Sequence, residues 1–257
     1  MPILPAELYY TGIDASAATL AALVDCTDPE LRIPTCPDWS LRQLATHVGR
    51  GHRWAAEIVR TRSEKFIEFA AVPDGKLPAD PAGHGRWLTA GATNLTDALR
   101  EAQESLVWTF EGMAPAGFWA RRMAHETSVH CADAQLAAGD PVEMIPELAA
   151  DAVDEWFQIL STPDGDQEDP RLAVLPIDQT LHVHATDPDL AVGGEWLISR
   201  AADGVHLTHG HGKGNAALSG RAGDLLLVLL GRRPADDESI QVFGDRALAT
   251  AYQSITF

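Results

Sequence analysis

The segment RRMAHETSVHCADA, residues 121–134, holds residue types suited to metal chemistry. Glu126 and His130 are four residues apart, so on a helix their side chains project from one face and can share an ion. An ordinary hydrogen-bonded Glu–His pair is the alternative for this spacing. His125 suggests a zinc protease, but that motif needs H-E-x-x-H, and the residue four after His125 is Val129. The usable pair is therefore Glu126 with His130.

A third ligand is expected on another helix, in WSLRQLATHVGRGHRW, where His47 lies. Two histidines and a carboxylate match catalytic zinc chemistry, in which three protein ligands leave one position open for water or substrate. His52 is a weaker candidate, because five residues rotate it about 140° around the helix from His47. The alternative for His47 is an imidazole satisfied by a neighbouring carbonyl.

Composition excludes several classes of function. The 257 residues include 37 acidic and 19 basic ones, and a net charge of −18 repels phosphate backbones and anionic lipid headgroups. Neither nucleic-acid binding nor membrane binding is expected, and the N-terminus MPILPAELYY lacks the pattern of a signal peptide. Three cysteines without a C-x-x-C spacing do not support a disulfide scaffold. We expect a cytoplasmic protein.

Helical periodicity dominates the first 160 residues. Ser40 and Gln43 predict a capping box at the start of the second helix, with Trp39 and Leu44 as a hydrophobic staple. Four long helices with one long crossover indicate a bundle. The predicted helices cover residues 5–26, 41–62, 86–112 and 118–138, with a shorter one at 146–160.

The period changes after the acidic, turn-rich stretch at 161–171, which is typical of a linker. Alternation in QTLHVHATD predicts a strand, and a small α+β domain follows. Its other predicted strands are 195–200, 205–209, 216–219 and 239–243, and its helices are 222–231 and 245–254.

Five histidines of this second domain raise the question of another metal site. His182 and His184 share one strand face, and His206, His209 and His211 follow in VHLTHGHGKGN. Because spacing alone gives no geometry for a third ligand, a polar strand face followed by a turn is the favoured interpretation.

The motif TCPDWSLRQLATHVG, followed about 80 residues later by AHETSVHCADA, resembles the mycothiol-dependent maleylpyruvate isomerase family, part of the DinB-like group of metal-binding four-helix bundles. The stretch AALSGRAGDLLLVLLGRRP resembles the C-terminal domain of that family. The resemblance implies an α+β protein of two domains. These are a DinB-like bundle at residues 1–161 and a small, sterol-carrier-like α+β domain at residues 172–257.

The resemblance also implies the chemistry. The metal ligands of the family match His47, Glu126 and His130, with zinc the first choice and nickel, iron or cobalt as alternatives. Mycothiol, the low-molecular-weight thiol of actinobacteria, loses its proton when coordinated to a cation. Its thiolate would add to the cis double bond of maleylpyruvate, and elimination after rotation would release fumarylpyruvate. The expected activity is a mycothiol-dependent isomerase or S-transferase; the alternative is a non-catalytic ligand-binding protein with a structural ion.

A carboxylate-bearing small-molecule substrate needs a local cation in so acidic a chain. Arg232 is the predicted residue, since it lies in the segment that resembles the C-terminal domain of the family. The alternative is an arginine that interacts with the dipole of the preceding helix. Cys131 points about 100° away from His130 on the helix and is predicted to pack rather than react.

Overall fold

The computed structural model describes residues 4–102, 104–162, 175–188, 190, 193–202 and 204–253. Contacts divide the chain into two compact units, an N-terminal unit of Pro5–Glu143 and a C-terminal unit that includes Met144–Phe257. This division precedes the predicted linker, most of which lies outside the described residues. None of the described helices combines the length and the apolarity that crossing a bilayer requires.

In its described residues, the N-terminal unit contains four α-helices, as the sequence predicts. α2 packs against α3, and α1 packs against both α3 and α4. The apolar faces meet in a core that includes Leu20, Leu44 and Leu88. The helices are α1 (Ala6–Cys26), α2 (Leu41–Thr61), α3 (His84–Ala102) and α4 (Gly117–Ala138).

The predicted third helix is too long. Its helical part ends at Ala102, and β1 (Leu106–Thr109) and β2 (Gly112–Pro115) form an antiparallel hairpin where the sequence predicts helix up to residue 112. The run LVWTF is rich in residues that favour strands. Gly112 has a φ of 101°, which a residue with a side chain rarely adopts. Leu106 and Phe110 continue the helical spacing but are exposed, so that spacing is coincidental.

The start of α2 is fixed by local hydrogen bonds. Ser40 is the N-cap, and Gln43 Oε1 accepts a hydrogen bond from the Ser40 backbone N–H at 2.8 Å, as the predicted capping box requires. The loop before it is held by backbone bonds from Ile33 to Trp39 at 3.1 Å and from Leu41 to Leu31 at 2.8 Å. These bonds position the loop against the beginning of α2.

α2 and α3 approach closely at a glycine. A Cβ added to Gly49 would lie 2.1 Å from Cζ3 of the buried Trp87. The buried Arg53 stacks on the Trp87 ring at 4.1 Å and donates hydrogen bonds to the carbonyl oxygens of Gly49 (3.1 Å) and Trp87 (2.9 Å). Arg53 also pairs with Asp74 at 3.1 Å, so the buried guanidinium is compensated.

The C-terminal unit is α+β, as predicted. Its sheet has the order β5-β4-β3-β6-β7, with β3 and β6 parallel and the other neighbours antiparallel. One face buries Leu181, Val183 and Trp196. The elements are α5 (Pro146–Ser161), β3 (Thr180–Ala185), β4 (Glu195–Ala201), β5 (Gly204–His209), β6 (Ala216–Gly220), α6 (Ala222–Leu229), β7 (Ile240–Gly244) and α7 (Arg246–Gln253).

α5 belongs to this unit by its contacts, since it packs against α6 and β5. Its buried Asp154 accepts hydrogen bonds from the ring nitrogens of Trp196 and His209. The sequence groups the helix at 146–160 with the bundle, because amphipathic spacing indicates a buried face without indicating the core it joins.

Candidate functional site

The structure brings His47, Glu126 and His130 together. Glu126 Oε1 lies 2.9 Å from His47 Nε2 and 3.2 Å from His130 Nε2, and the two imidazole rings are 4.9 Å apart. One ligand atom from each residue lies within 4.8 Å of the others. The His130 side chain is buried, whereas that of His47 is 41% exposed, so the cluster is accessible from the His47 side.

Helical spacing on α4 arranges the carboxylate. Glu126 is one turn before His130 and one turn after Arg122, whose Nη2 donates a hydrogen bond to Glu126 Oε2. Burial would raise the pKa of Glu126, but hydrogen bonds from His130 and His47 and the charge of Arg122 hold it well below its ordinary range. Glu126 is therefore a carboxylate whose Oε1 faces both histidines.

A buried aspartate supports His130 from the other side. Asp133 Oδ2 lies 2.9 Å from His130 Nδ1, and the Cys36 thiol donates to the same oxygen at 3.6 Å. Burial would lower the pKa of His130, but its bonds with Asp133, Cys36 and Glu126 hold it well above its ordinary value. A carboxylate on Nδ1 orients Nε2 toward Glu126, as in many metal-binding histidines. The prediction omits Asp133, although its place one turn after His130 is a usable signal.

Trp39 forms a wall of the cluster. Its ring centroid is 4.7 Å from that of His47 and 5.6 Å from that of His130. The sequence predicts only a hydrophobic staple for this residue, and the structure adds contact with both histidines. Cys36 and Trp39 come from the same loop, so the path of that loop decides which groups surround the site.

The weaker candidates lie elsewhere. His52 is buried, its Nε2 is 2.8 Å from Thr127 Oγ1, and burial together with the charge of Arg53 lowers its pKa to about 3, which keeps it neutral. His125 is buried, and its ring and that of Tyr9 form a T-shaped pair. Cys131 is buried in the apolar core, as predicted.

Arg232 lies in the C-terminal unit, just after α6. Its Nη1 donates a hydrogen bond to the Leu230 carbonyl at 2.8 Å. Such a bond to a carbonyl at a helix C-terminus is the contact that the dipole alternative predicts.

Comparison with known proteins identifies the family. The family model described as the mycothiol maleylpyruvate isomerase N-terminal domain matches residues 11–135, and that of the corresponding C-terminal domain matches residues 147–251. The chain belongs to the mycothiol maleylpyruvate isomerase family. The predicted family and its two-part fold are thus confirmed. The family is one of isomerases, which agrees with the prediction of an enzyme.

Solved structures of the mycothiol maleylpyruvate isomerase family share the fold. The structure of the mycothiol-dependent maleylpyruvate isomerase and that of a histidine-to-alanine mutant are each 14% identical to this chain, with a TM-score of 0.59. Each comparison covers 93% of this chain and 93% of the other. No curated protein matches the sequence significantly.

The donor set of this family member fits a divalent transition metal. Two imidazoles and a carboxylate are ligands that zinc accepts, and the carboxylate partner of His130 Nδ1 completes the usual outer support. Nickel, iron and cobalt accept the same ligands.

Proposed function

We propose that the chain is a mycothiol-dependent isomerase that acts on maleylpyruvate or a related cis-unsaturated carboxylate. His47, Glu126 and His130 would hold a divalent ion, with zinc as the first choice. The observation that carries this proposal is the approach of the three side chains to 2.9 and 3.2 Å in a chain whose two halves both match the family. An S-transferase would use the same ligands on another electrophile.

Each group of the site would have a separate role. The bound ion would lower the pKa of a coordinated thiol and so supply the thiolate that reversible addition to a conjugated cis double bond requires. The hydrogen bond of His130 Nδ1 to Asp133 would keep a proton on Nδ1, so that Nε2 offers its lone pair inward once an ion replaces its own proton. Arg122 holds Glu126 Oε2, which keeps Oε1 turned toward the histidines. Trp39 shields one side of both rings from water.

The test begins with protein purified without chelators. We expect elemental analysis to find an ion that is lost in His47→Ala, and we expect added mycothiol to give thiolate absorbance only while that ion is bound. Conversion of maleylpyruvate to its trans isomer should require both the bound ion and mycothiol. A bound ion without any thiolate signal would contradict the thiol-dependent activity and leave a structural ion as the explanation.

A cytoplasmic location is part of the proposal, because the activity needs a reduced small thiol. The three cysteines are free in the structure, which suits a reducing compartment. Immunodetection in the membrane or secreted fraction of the source cells, rather than the cytosolic one, would contradict it.

We propose that Arg232 binds a substrate carboxylate. A guanidinium makes paired hydrogen bonds to a carboxylate, and a local cation would offset the repulsion of an anionic substrate by the net charge of −18. Arg232→Ala is then expected to raise KM about tenfold or more while metal content stays unchanged, and Arg232→Lys should recover part of the loss. Steady-state kinetics with metal analysis test this. An unchanged KM with a lowered melting temperature would instead support the helix-dipole role.

A further inference from the structure

The C-terminal sheet carries a second group of imidazoles around a carboxylate. Glu195 Oε2 lies 3.9 Å from His182 Nε2, and Glu195 Oε1 and Oε2 each lie 3.3 Å from His211 Nδ1. His184 Nδ1 lies 2.8 Å from Glu195 Oε1. One ligand atom from each of His182, Glu195 and His211 lies within 4.8 Å of the others. We call these three residues the sheet cluster.

Strand register builds the cluster. His182 and His184 are two residues apart on β3 and so share a face, opposite to that of the buried Leu181 and Val183. His184 is paired with Glu195 of β4, which places the carboxylate on the same face. The sheet thus presents two imidazoles and a carboxylate side by side.

The loop after β5 supplies the third imidazole. Gly210 has a φ of 119°, which turns the chain sharply before His211. A Cβ on Gly212 would lie 2.4 Å from Leu197 Cδ1, so a larger residue here would require the Leu197 side chain to move. Both glycines favour the position in which His211 faces Glu195.

An unpaired buried nitrogen points to a ligand. His182 is only 7% exposed, and its Nε2 has no hydrogen-bond partner among the described residues. Its 3.9 Å separation from Glu195 Oε2 is too long for a hydrogen bond. Two ligands bound to one tetrahedral ion at about 2.1 Å are about 3.4 Å apart, which is near the 3.3 and 3.9 Å observed here.

We propose that the sheet cluster binds a divalent transition-metal ion of the zinc class, at a site distinct from that of the bundle. Imidazole donors select zinc, nickel, cobalt or copper over magnesium and calcium, which prefer oxygen ligands. His182, Glu195 and His211 are the ligands, and His184 is an adjacent donor. The ion ties the loop that contains His211 to β3 and β4. This inference does not depend on the proposed activity. It differs from the interpretation favoured by the sequence, which is a polar strand face followed by a turn.

The test uses the full chain with the bundle site disabled by His47→Ala and His130→Ala. After dialysis against zinc, this protein is expected to retain one equivalent, and adding His211→Ala should weaken zinc binding at least a hundredfold in competition with a chromophoric chelator. The matched control adds His206→Ala instead and should retain the ion. The His211 side chain is 82% exposed, so its replacement leaves the core intact.

A second measurement covers the case in which the disabled chain does not fold. In the otherwise unchanged protein, His211→Ala and Glu195→Gln should each remove one equivalent of zinc, and cobalt added to the unchanged protein should give a visible spectrum that His211→Ala diminishes. The proposal is overturned if the zinc content is the same with and without His211→Ala and Glu195→Gln. A single equivalent that depends only on His47 and His130 would refute the sheet cluster and leave the bundle site standing.

Discussion

Replacement of His130 by alanine is expected to remove the ion of the bundle and to lower kcat/KM about a thousandfold or more. The change deletes one of three ligands and leaves the fully buried Asp133 without its imidazole partner. A thousandfold loss corresponds to about 4 kcal/mol of transition-state stabilisation. Elemental analysis and isomerase kinetics on the same preparation measure both effects.

Asp133→Asn provides a graded comparison for His130→Ala. Its amide oxygen can still accept the hydrogen bond from His130 Nδ1 while the negative charge is lost, so metal affinity should fall only about 10- to 100-fold. Circular dichroism confirms that each variant is folded. Full metal content and full activity in His130→Ala would refute the assignment of this ligand.

Substitution of alanine for Gly49 is expected to lower the free energy of unfolding by about 3 kcal/mol or more. The new methyl group would lie 2.1 Å from Trp87 Cζ3. The indole cannot move away easily, because its Nε1 donates to the Asp74 carbonyl at 3.0 Å and Arg53 stacks on its ring. Urea denaturation followed by circular dichroism measures the loss.

Gly51→Ala is the matched control on the same helix. A Cβ on Gly51 would contact only Met123 Sδ, at 4.0 Å, so the substitution has room. The higher helix propensity of alanine should then raise the free energy of unfolding by up to about 1 kcal/mol. Equal effects of the two substitutions would show that close packing against Trp87 is unimportant for the bundle.

The local part of the candidate site follows from helical periodicity. Glu126 and His130 lie one turn apart, and no other geometry is needed to expect them on one face. Cys36 and Trp39 could not be assigned in this way. Their approach to the cluster depends on long-range backbone bonds that fold the loop against α2, and turn-forming residues indicate a loop without giving its direction.

The same contrast between local and long-range signals applies to the helix boundaries. The boundaries of α2 can be predicted from the sequence because the capping residues and the periodic apolar run agree. The end of α3 cannot be predicted in this way, because Leu106 and Phe110 repeat a helical spacing in a segment that pairs as a hairpin. The sheet cluster needs strand register and the turn at Gly210 to bring Glu195 and His211 to His182, and none of these distances is visible in residue spacing.

Under oxidative stress, peroxides oxidise thiolates faster than thiols. Burial raises the pKa of Cys131 to about 12, so this side chain remains a thiol and stays out of reach of peroxides. With mycothiol as its nucleophile, as proposed, the enzyme would carry its reactive sulfur on a small molecule that diffuses away and is replaced. Recovery of an oxidised nucleophile would then require renewal of the mycothiol pool rather than synthesis of new protein.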